Sequence, residues 1–145
     1  MRPVYESDAD RDRQTLVKVK VERILKQVLM PLPPRHHFDY AATTAGAVTE
    51  LIEVKCRNIP HQQHDTFMLC TSKFTAAGWY TLINPDIKVS LWVQWTDALG
   101  SLDMTVPYPD WRMGGRTDRG DDQDIGLVTH IPISAFTLYD CVNAE

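Results

Sequence analysis

The sequence predicts an α/β domain, a mixed β-sheet flanked by helices, in the order α-β-β-α-β-β-loop-β. Three observations lead there. Val17, Val21, Ile24, Leu25 and Val28 recur at helical spacing near the start of the chain. The stretches 48–56 and 88–96 are rich in apolar and β-branched residues, as strands are. The chain has 145 residues and 43% hydrophobic content, enough for one compact domain with a core of its own.

Each element has its own reasons. Asp8 to Leu29 is expected to be helical, with lysines and arginines between the apolar positions. Val17-Lys18-Val19-Lys20-Val21 also alternates like a strand, but the good helix formers after Val21 favour helix. Pro31, Pro33 and Pro34 stop it. A hairpin follows: a strand over His36–Ala42, a turn at Thr43-Thr44-Ala45-Gly46, and a strand over Val48–Cys56. Residues 57–64 are polar, contain Pro60 and read as a loop. Asp65 to Ile83 is expected as a second helix, capped by Asp65 and stopped by Asn84-Pro85-Asp86. Lys88–Thr96 alternates, with Val89, Leu91, Val93 and Trp95 on one face and Trp92 on the other. Asp97-Ala98-Leu99-Gly100 turns the chain into a short strand over Leu102–Val106. Residues 107–124 are charged and Gly-bearing, hence a long loop. Ile125–Ile133 is a last strand and Ser134–Tyr139 a final helical turn. The whole is read as one domain, 1–145, with its core over about 8–105.

Composition narrows the functional classes. Net charge is −4, which argues against a simple cationic nucleic-acid binder. The charge is unevenly spread, however. Arg11, Arg13, Lys18, Lys20, Arg23, Lys26 and Arg35 face only Asp12 and Glu22 between residues 11 and 37, whereas acids dominate from Ser101 onward. A basic first third can contact phosphates, or can simply be a solvated helix face. No apolar run approaches the roughly 20 residues of a membrane helix, and the first residues lack the apolar core of a secretory signal. Cys56, Cys70 and Cys141 are scattered and odd in number, as free thiols in a reducing compartment would be. Cytoplasmic residence, in a bacterial or phage-infected cell, is the expectation.

The chemistry concentrates in the hairpin. Glu53 and Lys55 lie on one face of a strand that is otherwise apolar, about 7 Å apart along it. Burying such charges is costly unless they pair, bind metal or do chemistry. Asp39 stands one hairpin upstream, where a short turn brings its strand alongside. Two carboxylates suit Mg2+ or Mn2+, which keep waters and substrate phosphate as further ligands. Beside them a lysine can orient or deprotonate the attacking water, or stabilise the pentacovalent charge. The contrary reading is a buried salt-bridge cluster without chemistry.

These residues resemble the PD-(D/E)XK nuclease superfamily, the fold of many restriction enzymes, archaeal Holliday-junction resolvases and phage nucleases. Its core is a helix, a hairpin carrying Asp and then Glu-x-Lys, a second helix and further strands, an order this chain follows from Asp8 to about Thr105. The resemblance implies that Asp39 and Glu53 are metal ligands and catalytic residues, and that Lys55 is the catalytic lysine. Phe38 stands where the family's namesake proline would be. Several members add a glutamate from the first helix; Glu6 is the candidate here, with Glu22 second. The resemblance leaves the residues from Pro107 onward unexplained. It implies a metal-dependent DNA endonuclease, with DNA as partner and no membrane. A homodimer would be needed for double-strand cutting. Two alternatives stay open: a catalytically inactive nuclease-like module that binds nucleic acid or protein, and a junction resolvase or other structure-specific nuclease.

Further candidates surround this centre. Lys18 and Arg35, from the basic first third, His37, which shares the face of Asp39, and Lys73, on the second helix, are candidate nucleic-acid contacts, as is Arg116 in a glycine-flanked arginine loop. Glu50 falls on the opposite face from Glu53 and reads as a solvated strand end. His61 and His64 have zinc-like spacing but no companion ligands. Trp79, Tyr80, Trp92 and Trp95 read mainly as core.

Overall fold

A computed structural model describes residues 7–115 and 125–139. The first helix, α1, spans Asp8–Leu25. Ser7 and Asp10 form a reciprocal capping box at its start: Asp10 N donates to Ser7 Oγ (3.2 Å) and Ser7 N to Asp10 Oδ2 (3.0 Å). The helix ends four residues before the expected Leu29, because Lys26 turns left-handed (φ 56°). Glu22 Oε2 then accepts from Leu29 N (2.8 Å), and the chain enters β1, Leu29–Pro31. The prolines around residue 31 had hidden this strand; it lies at a sheet edge, where a proline costs no ladder bond.

The hairpin forms as β2, Tyr40–Thr44, and β3, Ala47–Cys56, paired antiparallel. Its turn is tight: Ala45 and Gly46 both have positive φ. The first strand starts later than the expected His36, since residues 36–39 bend, with Phe38 N bonded to His36 Nδ1. A further correction concerns Asp65–Ile83. Thr66–Cys70 is a strand, β4, and α2 begins only at Thr71, ending at Ile83; Asp65 is not its cap. Phe67 and Leu69 are buried while Met68 and Cys70 are exposed, the period of a strand.

Next come β5, Lys88–Gln94, and β6, Leu99–Asp103; Leu99 and Gly100 belong to the strand rather than to the turn before it. Within the expected long loop lies β7, Trp111–Gly115, paired with β8, Ile125–Pro132. The expected final helical turn shrinks to a 3-10 turn, Ile133–Ala135, followed by β9, Thr137–Tyr139. The observed order, α-β-β-β-β-α-β-β-β-β-β, therefore replaces the simpler one expected.

The strands form two sheets. The larger is mixed, in the order β1-β2-β3-β5-β6-β9, and only its β3–β5 pairing is parallel. The smaller is antiparallel, β4-β8-β7. Strand β3 lies inside the large sheet, and its alternating residues build two cores. Ile52 and Val54 pack with Val17 and Val21 of α1, with Trp92 and with Leu99. Leu51 faces the other way, with Val89, Leu91, Val93, Ala77 of α2 and Phe67, Leu69 and Ile131 of the small sheet. Trp92 is thus core, as expected; it packs under α1 and stacks on Tyr139 at 5.4 Å. Trp79 is an exception, 57% exposed.

Candidate active site

Glu53 is the one carboxylate of β3 buried on the α2 face, only 2% exposed. The sequence places it there by alternation, on the side of Leu51 and opposite Ile52 and Val54. A buried carboxylate requires partners. Lys55, two residues on, puts Nζ 3.3 Å from Glu53 Oε2. Lys73, in the first turn of α2, puts Nζ 3.2 Å from Oε1 and also donates to the His37 carbonyl. The Lys73 approach to Oε1 is within ion-pair range but lies off the hydrogen-bonding direction, so that buried oxygen has no hydrogen bond.

Asp39 is locked beside this pair by its backbone. Its N–H donates to Ile52 O (3.0 Å), and its carbonyl accepts from Leu32 N (2.9 Å). Its carboxylate Oδ2 accepts from Val54 N (2.8 Å). Burial, and next the like charge of Glu53, push the Asp39 carboxyl from its ordinary 3.8 up to about 6. The Val54 N–H, Lys55 and Lys73 oppose that rise. The structure thus brings Asp39, Glu53, Lys55 and Lys73 together at the start of β2 and the middle of β3.

These donors suit a hard dication. Glu53 Oε1 is buried and held only by its ion pair with Lys73, without a hydrogen bond, and burial, then the like charge of Glu53, raises the pKa of the Asp39 carboxyl beside it. Among the described residues no group of three or more His, Cys, Asp or Glu side chains is arranged to hold a metal. A cation here would take two carboxylates and otherwise backbone oxygen and water, the set that Mg2+ accepts.

The other candidates divide. His37 adjoins the site: its carbonyl accepts from Lys73 and its Nδ1 lies 3.3 Å from Tyr80 Oη. The same Tyr80 hydroxyl reaches His36 Nε2 at 3.2 Å. Tyr80 is therefore part of the wall of the site as well as of the core, a role the sequence reading missed. Its signal was the spacing Lys73, Ala77, Tyr80, one face of α2. Arg35 is exposed in the turn just before His36. Lys18 lies on α1, across the sheet from Glu53, and pairs with Glu22 at 3.6 Å. Glu22, bonded to Leu29 N, is committed to the end of α1 rather than to the site. Glu50 faces away from Glu53, as expected, but is half-buried and accepts from Ser90 Oγ (2.6 Å). His61 Nδ1 bonds Asp97 (2.9 Å) and holds a loop. Glu6 and Arg116 lie outside the described residues.

The fold and this hairpin define a nuclease-like α/β protein, and comparison with known families agrees. Residues 1–139 match the family described as "Phage putative PDDEXK endonuclease", and the chain belongs to that family. The match runs through residues 107–139, which the hairpin resemblance had left unexplained. No curated protein matches the chain.

Proposed function

We propose that this protein is a single-domain, metal-dependent endonuclease that hydrolyses DNA phosphodiester bonds. The observation that carries the reading is the buried Glu53 carboxylate beside Asp39, with Lys55 at one oxygen and Lys73 at the other, which makes no hydrogen bond. Asp39 and Glu53 would hold Mg2+ or Mn2+, the divalent-metal requirement being general among PD-(D/E)XK nucleases. Bound there, the ion would polarise the scissile phosphate and acidify a coordinated water. Lys55, fixed on β3 and partly exposed, orients or deprotonates the attacking water, or offsets charge on the pentacovalent phosphorus. Asp39 is held to one rotamer by Val54 N, so the two acids are preorganised.

DNA would lie across the end of the sheet where β3 and β5 finish and β2 begins. Asp39 opens that end on one side of α1; a cleft of about 580 Å³ lined by Arg13, Lys20, Arg57 and Gln94 opens on the other. A site of this size cuts one strand at a time, so double-strand cutting would use a homodimer. Among the described residues no helix is long and apolar enough to cross a membrane; cytoplasmic action is part of this proposal.

The test is cleavage of supercoiled plasmid with Mg2+, with Mn2+ and with EDTA. Wild-type protein should nick it only with metal, and Lys55→Ala should lower the rate by about 10²–10⁴-fold while keeping the fold and DNA binding. Cleavage retained by Lys55→Ala, or cleavage in EDTA, would overturn the assignment.

A further inference from the structure

At the site two carboxyl groups, Asp39 and Glu53, stand with two lysines, Lys55 and Lys73, each of the lysines paired with Glu53. A dication at Glu53 would add two positive charges in a partly buried place, beside two ammonium groups. Like charges so close disfavour one another. A cation that takes a Glu53 oxygen therefore competes with the ammonium already paired to it.

The geometry singles out Lys73. Its ammonium stands 3.2 Å from Oε1, a buried oxygen whose pairing with Lys73 carries no hydrogen bond, whereas Lys55 stands at Oε2. Lys73 is rooted on a different element from both acids and reaches in over the Phe38 ring, 5.8 Å from its centroid. A four-carbon stem lets the ammonium swing without backbone movement. We propose that Lys73 is a displaceable counter-ion. It guards Glu53 Oε1 until a divalent cation takes that oxygen, and then pairs with a phosphate oxygen of the bound DNA. This rests on the reading above that Asp39 and Glu53 hold the cation.

If so, metal and Lys73 compete, and the coupling shows in binding as well as in rate. The experiment titrates Mn2+ into the full chain without DNA, by calorimetry, for wild type, Lys73→Met and Lys73→Gln. Circular dichroism checks that each is folded; Lys73→Gln keeps an amide donor for the buried oxygen should Lys73→Met fail. Both variants should bind Mn2+ about fivefold tighter or more. At saturating Mn2+ both should cleave plasmid slower by about tenfold or more, the loss of one phosphate partner. Unchanged or weaker Mn2+ binding in folded variants would overturn the competition. Unchanged or faster cleavage would overturn the transfer to phosphate. A wild type that binds no Mn2+ at millimolar concentration would instead overturn the metal reading itself, an outcome distinct from variants that merely bind no better.

Discussion

At the scale of single residues, the position of Asp39 has a consequence for stability. Its carboxyl ionises near 3.8 when unfolded and near 6 when folded. Between those values the folded state holds a proton that the unfolded state has lost. Stability therefore falls as pH rises through about 4 to 6, and stays reduced above it. The gap corresponds to about 3 kcal/mol at neutral pH. Asp39→Asn removes this cost and keeps an oxygen for Val54 N. In EDTA at pH 8 the variant should gain about 1–3 kcal/mol, a rise in Tm of roughly 2–10 °C, and little at pH 4. Thermal melts at the two pH values check it; a variant less stable than wild type at pH 8 would contradict the argument. Under the proposed function a cation needs the ionised carboxylate, so Mn2+ affinity, measured by calorimetry at several pH values, should rise with pH as Asp39 ionises. Of the four grouped side chains, Glu53 and Lys55 were visible in the sequence because a charge inside a buried strand stands out against its neighbours, and Asp39 through its place one hairpin upstream and the family pattern. The ion pair of Lys73 was not: nothing local distinguishes it from a surface lysine until α2 is docked on the sheet. Tyr80 was hidden for the same reason.

At the scale of elements, long periodic segments were legible and short ones were not. α1, β3 and β5 each carry enough residues for period to show, and each appears within a few residues of its expected place. β4 was absorbed into α2 because five residues, Thr66–Cys70, fit either period, and only pairing with β8 decides. β7 was lost in a Gly-bearing charged stretch, and β1 among prolines. All three are fixed by pairing with another strand, for β4 one far along the chain, and local propensity does not register such pairing. β6 shows how tight such partnerships are. A Cβ built at Gly100 would lie 2.8 Å from the buried Trp95 ring and 3.3 Å from Leu138 and Phe136. Trp95 is held edge-on by Phe67 and Phe136 and has nowhere to retreat. Gly100→Ala should destabilise by about 1–3 kcal/mol, through overpacking of the seam between β6 and β9. Urea denaturation with an unchanged midpoint would show that the ring can shift.

At the scale of the whole molecule, the proposed function asks a protein of net charge −4 to present a polyanion with a positive surface. Local pairing decides which cations are left to do so. Lys18 is offset by Glu22, and Arg13 by Asp10. In the cleft at the end of β3 and β5, Lys20 donates to the neutral Gln94 amide oxygen (2.8 Å) and Arg57 to the Cys56 carbonyl (3.0 Å). Neither contact cancels charge. Arg57 directly follows the end of β3, the strand that carries Lys55, and its guanidinium lies over the Phe67 ring at 4.9 Å, so under the proposed function it can meet the DNA backbone beside the site. Under the proposed function, Lys20→Gln and Arg57→Gln should each weaken DNA binding, measured with Ca2+ to hold off cleavage. Each lost phosphate contact should lower the slope of log K against log salt by about 0.9. Lys18→Gln, which removes a charge already paired, should change the slope far less. If Lys18→Gln mattered as much as Arg57→Gln, the DNA would lie along the face of α1 rather than across the sheet end. The cluster of Asp39 and Glu53 would then be remote from the backbone it is proposed to cut.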